Sequence, residues 1–192
     1  MKRLLIAAAA SILAASAQAA PVFSDDFNSD PTGLNTTPAG WNVTLGTVDT
    51  IGTGFFDLIP GSGNYIDLDG STNNAGVLAH ALTLTKGTHY VLSFDLAGNH
   101  RDSATEHVLV EFGTSFQTYS LPESAGWTHY TLDFTPLLSG TRYIRFSNAG
   151  GDNIGMLLDN VNVAAVPEPE TYAMLLAGLG MVGLMVRRRT TV

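Results

Sequence analysis

The 192-residue sequence contains no cysteine. This absence excludes disulfide bonds, thiolate catalysis and cysteine-ligated zinc. A domain without disulfides must be stabilised by its hydrophobic core, with a bound metal ion as the other available support.

Basic residues are scarce in the middle of the chain. Residues 20–165 hold 4 of the 9 Lys and Arg residues but 15 of the 17 Asp and Glu residues, which gives a formal charge of −11. Such a surface repels nucleic acid and anionic membranes, so we expect no nucleic-acid partner. The same charge favours solubility and attracts divalent cations.

Long apolar runs are also missing, and the two short ones lie at the ends of the chain. At the N-terminus, two basic residues precede an apolar run over residues 4–15, and Ala17-Gln18-Ala19 follows. This order predicts a signal peptide over residues 1–19 that signal peptidase removes after Ala19, with Ala20 as the neighbouring alternative.

The C-terminal segment, residues 166–192, has three parts. It opens with an acidic proline segment and closes with a basic cluster, respectively Val166-Pro167-Glu168-Pro169 and Arg187-Arg188-Arg189. Between them, residues 171–186 form a run of 16 residues without a charge. An apolar run before a basic cluster is typical of a transmembrane helix with a cytoplasmic basic end. Since spanning takes about 17–25 residues, we predict a temporary anchor, and a permanent anchor remains the alternative.

These three parts, in this order and at the end of the chain, resemble the PEP-CTERM sorting signal of Gram-negative bacteria. The resemblance implies an exosortase-type membrane protease-transpeptidase as partner, which would cut near residues 167–169. It implies an exported protein that passes through an inner-membrane-anchored intermediate and then reaches the cell surface or the medium. Proteins with this tail are typically made beside exopolysaccharide and biofilm systems.

Residues 20–165 are long enough for one domain with a full core. Alternating apolar and polar residues predict strands, most clearly over 89–97 and 127–134, and a weaker pattern predicts one over 55–58. Turn residues punctuate the segment, and helical periodicity is absent. The sequence therefore predicts an all-β, antiparallel two-sheet β-sandwich of about ten strands with jelly-roll topology, flanked by the signal helix and the C-terminal transmembrane helix.

Segments 64–70, 76–78, 90–99, 127–128 and 158–161 appear in an order that resembles the galactose-binding-like jelly rolls of bacterial exported proteins and plant cell-wall proteins. The resemblance implies a non-catalytic module that associates with carbohydrate or exopolysaccharide. Two alternatives stay open. One is a structural biofilm-matrix scaffold without a specific glycan ligand, and the other is a small polysaccharide-active enzyme.

The jelly-roll resemblance also implies a structural Ca²⁺ that ties the first strand to the last. The matching residues are Asp25, Asp26 and Asn28 near the start and Asp159 and Asn160 near the end. Calcium takes about 6–8 oxygen ligands, which carboxylates and amides supply. The alternative is that these residues are solvated strand-end acids and turn caps.

A polar loop is the candidate ligand site. Asn99, His100, Arg101 and Asp102 can all hydrogen-bond sugar hydroxyls, and we expect them to line a cleft beside Asp95. The alternative is an ordinary exposed hairpin loop. We predict no catalytic residues, because neither the histidine spacing nor the single Gly-Ser-Gly segment matches a zinc or serine-hydrolase motif.

Overall fold

The computed structural model describes residues 20–101, 105–150 and 152–166, together with 177–178 and 180–181. Within these ranges the chain forms twelve β-strands. They are β1 (Ala20–Asp25), β2 (Gly33–Thr36), β3 (Asn42–Leu45), β4 (Val48–Gly52), β5 (Asn64–Asp67), β6 (Val77–Leu84), β7 (His89–Ala97), β8 (Thr105–Phe112), β9 (Ser115–Pro122), β10 (Thr128–Phe134), β11 (Gly140–Ala149) and β12 (Leu157–Val166).

The strands form two antiparallel sheets, which confirms the predicted β-sandwich. The seven-stranded sheet has the order β10-β7-β12-β5-β4-β2, and β1 pairs with β12. The five-stranded sheet has the order β3-β6-β11-β8-β9. Strand β12 changes its partner along its length, because Leu157 and Leu158 pair with β5 whereas the part from Val161 onward pairs with β1.

The core lies between the two sheets and follows the predicted alternation. Strand β7 contributes Leu92, Phe94 and Leu96, which are all fully buried. Phe94 packs edge-on against Phe146 of the opposite sheet, with ring centroids 5.3 Å apart. Aromatic and branched side chains from both sheets thus exclude water from a single continuous cluster.

Two local predictions differ from the structure. Residues 55–58 belong to a loop, because Gly52 and Phe55 close a tight turn and Phe56 then adopts a φ of 49°. The structure also adds β2 and β4, which the sequence pattern did not reveal. Every residue of β4 is buried, including Asp49 and Thr50, so the strand has no polar face to alternate with.

The predicted signal segment, residues 1–19, lies outside the described residues, and so does nearly all of the predicted transmembrane helix, residues 171–186. Among the residues that the structure does describe, no helix is long and apolar enough to cross a membrane.

The sandwich has two distinct ends. At the tail end, Val166 of β12 pairs with His89 of β7, and the β10–β11 connection (residues 135–139) lies beside the β6–β7 turn (residues 85–88). At the far end lie the connections over residues 68–76, 98–101, 123–127 and 152–156.

Candidate functional site

The outer face of the seven-stranded sheet is partly covered by a loop over residues 53–63, here called the cover loop. Tyr65 of β5 holds this loop: its buried hydroxyl accepts hydrogen bonds from the backbone N–H groups of Leu58 (2.6 Å) and Ile59 (2.9 Å). Trp127 packs edge-on against Tyr65 and donates its indole N–H to Ser62 Oγ at 2.8 Å. Trp127 therefore packs as part of the framework that holds the cover loop.

An open cavity of about 260 Å³ lies beside the cover loop towards the far end, and we call it the Phe56 cleft. Its apolar rim consists of Leu34, Phe56 and Leu58. The Phe56 side chain is 63% exposed, although its residue occupies a left-handed backbone conformation that a bulky side chain rarely adopts. An exposed aromatic ring on a constrained backbone is a feature that concentrates at ligand sites.

The polar side of the cleft is built on an ion pair. Arg101 Nη2 lies 2.6 Å from Asp67 Oδ2, and the carboxylate is almost fully buried while the guanidinium is partly exposed. Burial raises the pKa of Asp67 to about 7, against the lowering effect of Arg101. Asp49 lies directly across from Asp67 on β4, and both carboxylates line the cleft.

The Asp49 carboxylate has its own hydrogen-bond donors. Its Oδ1 accepts from the backbone N–H groups of Asn35 (2.6 Å) and Ser71 (3.2 Å), and its Oδ2 accepts from Ser71 Oγ (2.7 Å). These bonds join strand β2 and the loop after β5 to the floor of the cleft. The floor is therefore pre-formed, as is usual for small-molecule sites.

A second polar depression, of about 440 Å³, lies where β12 changes its partner. It is lined by residues that include Asp25, Asp26 and Asn160, and Asp159 lies buried beside it. The pairing of Asp25 with Val161 across β1 and β12 brings the start and the end of the domain together. We call this cluster the acidic site.

The pKa values of two carboxyl groups in the acidic site shift in opposite directions. Burial raises the pKa of Asp159 to about 7, and the neighbouring charges of Asp95, Asp26 and Asp25 act in the same direction. The pKa of Asp26 is instead lowered, chiefly by its hydrogen bonds with Asn28. One carboxyl group in the cluster is thus disfavoured as an anion, which is the condition that a bound cation would relieve.

The fit to calcium is incomplete. The amide of Asn28 accepts from the backbone N–H of Asn64 at 2.9 Å, and Asp25 Oδ2 accepts from the indole of Trp41 at 2.8 Å. Within the described ranges, no three His, Asp or Glu side chains are grouped as a metal ion needs. Calcium also uses amide and backbone oxygens, so the predicted Ca²⁺ stays a prediction.

Comparison with known proteins places this domain in a family. A family model described as protein of unknown function (DUF642) matches residues 21–164, which is most of the chain. The chain belongs to the DUF642 family. A second model, the PEP-CTERM protein-sorting motif, matches residues 165–189 and confirms the tail resemblance. No curated protein matches the chain.

Solved structures share the fold of this DUF642 domain at low identity. The K3 cleaved adhesin domain of Lys-gingipain from Porphyromonas gingivalis W83 is 18% identical, with a TM-score of 0.53 over 76% of this chain and 98% of that domain. The CBM22-1 xylan-binding domain from Paenibacillus barcinonensis is 14% identical, with a TM-score of 0.50 over 78% of this chain and 97% of that domain. At these identities the likeness establishes the fold alone.

The residues predicted to form the ligand site of the DUF642 domain do not lie together in the structure. Asp95 lies in the acidic site, where its two oxygens accept from His129 Nδ1 (2.7 Å) and Asn160 Nδ2 (2.9 Å). Arg101 instead turns towards Asp67 in the Phe56 cleft.

The rest of that loop forms a tight turn. Asn99 is buried and its Oδ1 accepts from the backbone N–H of Arg101 at 2.7 Å, whereas His100 is exposed with a φ of 55°. Asp102 lies outside the described residues. The predicted sorting residues Pro167, Glu168 and Pro169, the basic cluster at 187–189 and the cleavage residues Ala17 and Ala19 also lie outside them.

Sequence reasoning missed most of the Phe56 cleft. Asp67 lies on the outer face of β5 and lines the cleft, whereas Ile66 and Leu68 point into the core between the sheets. Leu34, Asp49 and Phe56 carried no signal, because each lies in a strand or loop that the pattern did not predict correctly.

Proposed function

We propose that the exported DUF642 domain binds extracellular polysaccharide in the Phe56 cleft. The single observation that carries the proposal is the exposed ring of Phe56, held in a constrained backbone beside pre-organised carboxylate and guanidinium groups. A sugar unit has a C–H face that packs on an aromatic ring and hydroxyls that bind charged hydrogen-bonding groups. The cleft offers both.

The size of the cavity suits one sugar unit of a longer chain. Small-molecule pockets usually measure about 300–1,000 Å³, and the Phe56 cleft, at about 260 Å³, is slightly smaller and open to solvent. A polymer would place one unit in the cleft and its neighbours along the exposed rim. Such contacts predict weak binding to each unit and stronger retention on long chains.

The similarity in fold to a xylan-binding domain and to an adhesin domain supports a surface-binding role without naming the polymer. The PEP-CTERM motif indicates an exported protein that an exosortase processes at the cell envelope. The route that we propose begins with signal peptidase, passes through an inner-membrane-anchored intermediate and ends at the cell surface or in an exopolysaccharide matrix, where the domain would serve a biofilm.

Affinity electrophoresis tests the binding proposal. The wild-type chain and Phe56→Ala are run through gels that contain xylan, galactan or the exopolysaccharide of the producing cells. Phe116→Ala is the matched control, because Phe116 is also exposed (71%) but lies on β9 of the other sheet. We expect at least one polymer to retard wild type and Phe116→Ala, and Phe56→Ala to migrate freely.

The remaining outcomes separate the alternatives. Equal retardation of all three proteins would refute the Phe56 cleft as the site. If no polymer retards any of them, the domain is better explained as a matrix scaffold without a glycan ligand.

Hydrolysis is a second candidate function, because burial raises the pKa of Asp67 to about 7 and Asp49 lies beside it on the neighbouring strand. Glycosidases use such a pair of carboxyl groups, one protonated and one ionised. Against this role, the hydrogen bonds to Asp49 and the ion pair of Asp67 occupy oxygens that catalysis would need. Release of reducing ends by wild type but not by Asp49→Asn would establish hydrolysis.

A further inference from the structure

The β10–β11 connection at the tail end exposes two adjacent leucines. Leu137 is 84% exposed and Leu138 is 67% exposed. Together with Pro136 and Ser139 they form what we call the leucine loop. Single exposed apolar residues are normal on a protein surface, whereas adjacent ones at a loop tip mark a contact surface more often.

The leucine loop is held in place by its neighbours rather than left free. The Pro136 carbonyl accepts from the backbone N–H of Gly87 at 2.9 Å, and Ser139 Oγ accepts from the backbone N–H of Lys86 at 2.8 Å. Arg142 Nη2 donates to the Leu138 carbonyl at 2.9 Å. Because the backbone is fixed with its leucines outward, contact with a partner would cost little further ordering entropy.

Basic side chains gather at the same place. Residues 20–165 contain only four Lys and Arg residues, and two of them, Lys86 and Arg142, flank the leucine loop. Asp133, near the end of β10, lies 3.5 Å from His89. Leucines beside cationic side chains are the composition of a surface that sits in the headgroup region of a bilayer.

The position of the loop agrees with a membrane partner. Val166, the last residue of β12, pairs with His89, so the chain leaves the sandwich at the tail end and runs directly into the sorting tail. Only residues 167–170 separate β12 from the uncharged segment 171–186. Four residues span at most about 14 Å, so a tail held in a bilayer keeps this end of the sandwich against the membrane surface.

We propose that the leucine loop contacts the lipid bilayer that holds the sorting tail and seats the tail end of the sandwich on it. This inference rests on the membrane stage of the proposed sorting route and not on polysaccharide binding. Its consequence is an orientation: the Phe56 cleft, near the far end, faces away from the membrane.

The lack of cysteine makes a direct test possible. The full chain carrying Leu138→Cys is labelled with an environment-sensitive fluorophore and reconstituted into liposomes of zwitterionic lipid, with or without anionic lipid. Ser124→Cys, in an exposed far-end connection, is the control label. We expect the label at position 138, and not the label at 124, to shift its emission to the blue and to be quenched by doxyl-labelled lipid. Adding Leu137→Ser should reduce the shift.

The other outcomes overturn the inference in different ways. If the chain floats with the liposomes while doxyl lipid leaves the label at 138 unquenched, the loop does not touch lipid. A blue shift that grows with protein concentration and ignores doxyl lipid would assign the loop to a second copy of the chain. A chain that does not float removes the membrane stage and this inference with it, while polysaccharide binding is judged separately.

Discussion

The raised pKa of Asp159 predicts that replacing this acid stabilises the protein at alkaline pH. Burial holds the pKa of Asp159 near 7 in the folded state, against 3.8 for the ordinary side chain. Because the folded state keeps this proton to higher pH, the contribution of Asp159 to stability is fully present below about pH 4 and is lost as pH rises to about 7. Each pKa unit corresponds to about 1.4 kcal/mol, so the ionised carboxylate costs up to about 4 kcal/mol above pH 7.

Asp159→Asn removes that cost and keeps an oxygen for the backbone N–H of Asn160, which Asp159 Oδ1 now accepts at 2.7 Å. Chemical denaturation in EDTA should therefore show the variant more stable than wild type at pH 8, with a gain that disappears towards pH 4. Asp133→Asn is the control, since that carboxylate is 65% exposed and should change little. An equal effect at both pH values, or destabilisation at pH 8, would refute the electrostatic argument.

Adding calcium to the same proteins tests the predicted Ca²⁺ site separately from the pKa prediction. If the predicted ion binds at the acidic site, millimolar CaCl₂ should raise the melting temperature of wild type at pH 8 and leave Asp159→Asn unchanged. A wild-type curve that calcium does not move would make the Ca²⁺ prediction wrong without touching the pKa prediction.

Three further predictions concern the cover loop, the packing at the far end and the sorting tail. Tyr65→Phe removes the acceptor of two backbone N–H groups and should lower the free energy of unfolding by about 1–3 kcal/mol, with faster hydrogen exchange at Leu58 in the cover loop. Gly155→Ala would place a methyl group 2.3 Å from the backbone nitrogen of Asp69. The variant should therefore lower the free energy of unfolding, measured in urea, by about 1–3 kcal/mol. Gly126→Ala is the control and should change that free energy very little, because its methyl group meets nothing within 4 Å. The intact mass of the protein from native cells should correspond to a chain that begins near Ala20 and ends near residue 167. Changing residues 187–189 to Ala should leave the tail uncleaved. A wild-type mass that includes the basic cluster would mean that the tail is a lasting anchor.

The fold was largely predictable because a strand with one buried face and one exposed face alternates apolar and polar residues. Strand β7 alternates over its whole length, and the structure gives it the predicted bounds, His89–Ala97. Strand β4 could not be predicted in this way, because a strand that is buried on both faces shows no alternation of apolar and polar residues. Residues 55–58 were wrongly predicted to be a strand, because Phe55 and Leu58 are apolar residues of a loop that packs onto the outer face of the sheet.

Of the two candidate sites, the acidic site could be predicted from the sequence and the Phe56 cleft could not. The acidic site joins chain ends whose pairing a jelly roll already implies, so Asp25 and Asp159 could be grouped from the sequence. The Phe56 cleft joins β2, β4, β5, the cover loop and the turn that carries Arg101, and only the observed strand order brings them together. Residue chemistry can nominate Arg101 as a ligand residue, but its partner Asp67 lies 34 positions away and is set by packing.

The most direct test of polysaccharide binding at the Phe56 cleft is to locate a bound oligosaccharide by methyl NMR. The methyl groups of Leu34, Ile51 and Leu58 line the cleft, while those of Leu45 and Leu137 lie on other surfaces. Titration with fragments of a polymer that retards the protein should shift the first three signals and leave the other two in place. Shifts at Leu45 or Leu137 with an unmoved cleft would contradict the assignment, and the binding surface would then have to be sought elsewhere on the sandwich.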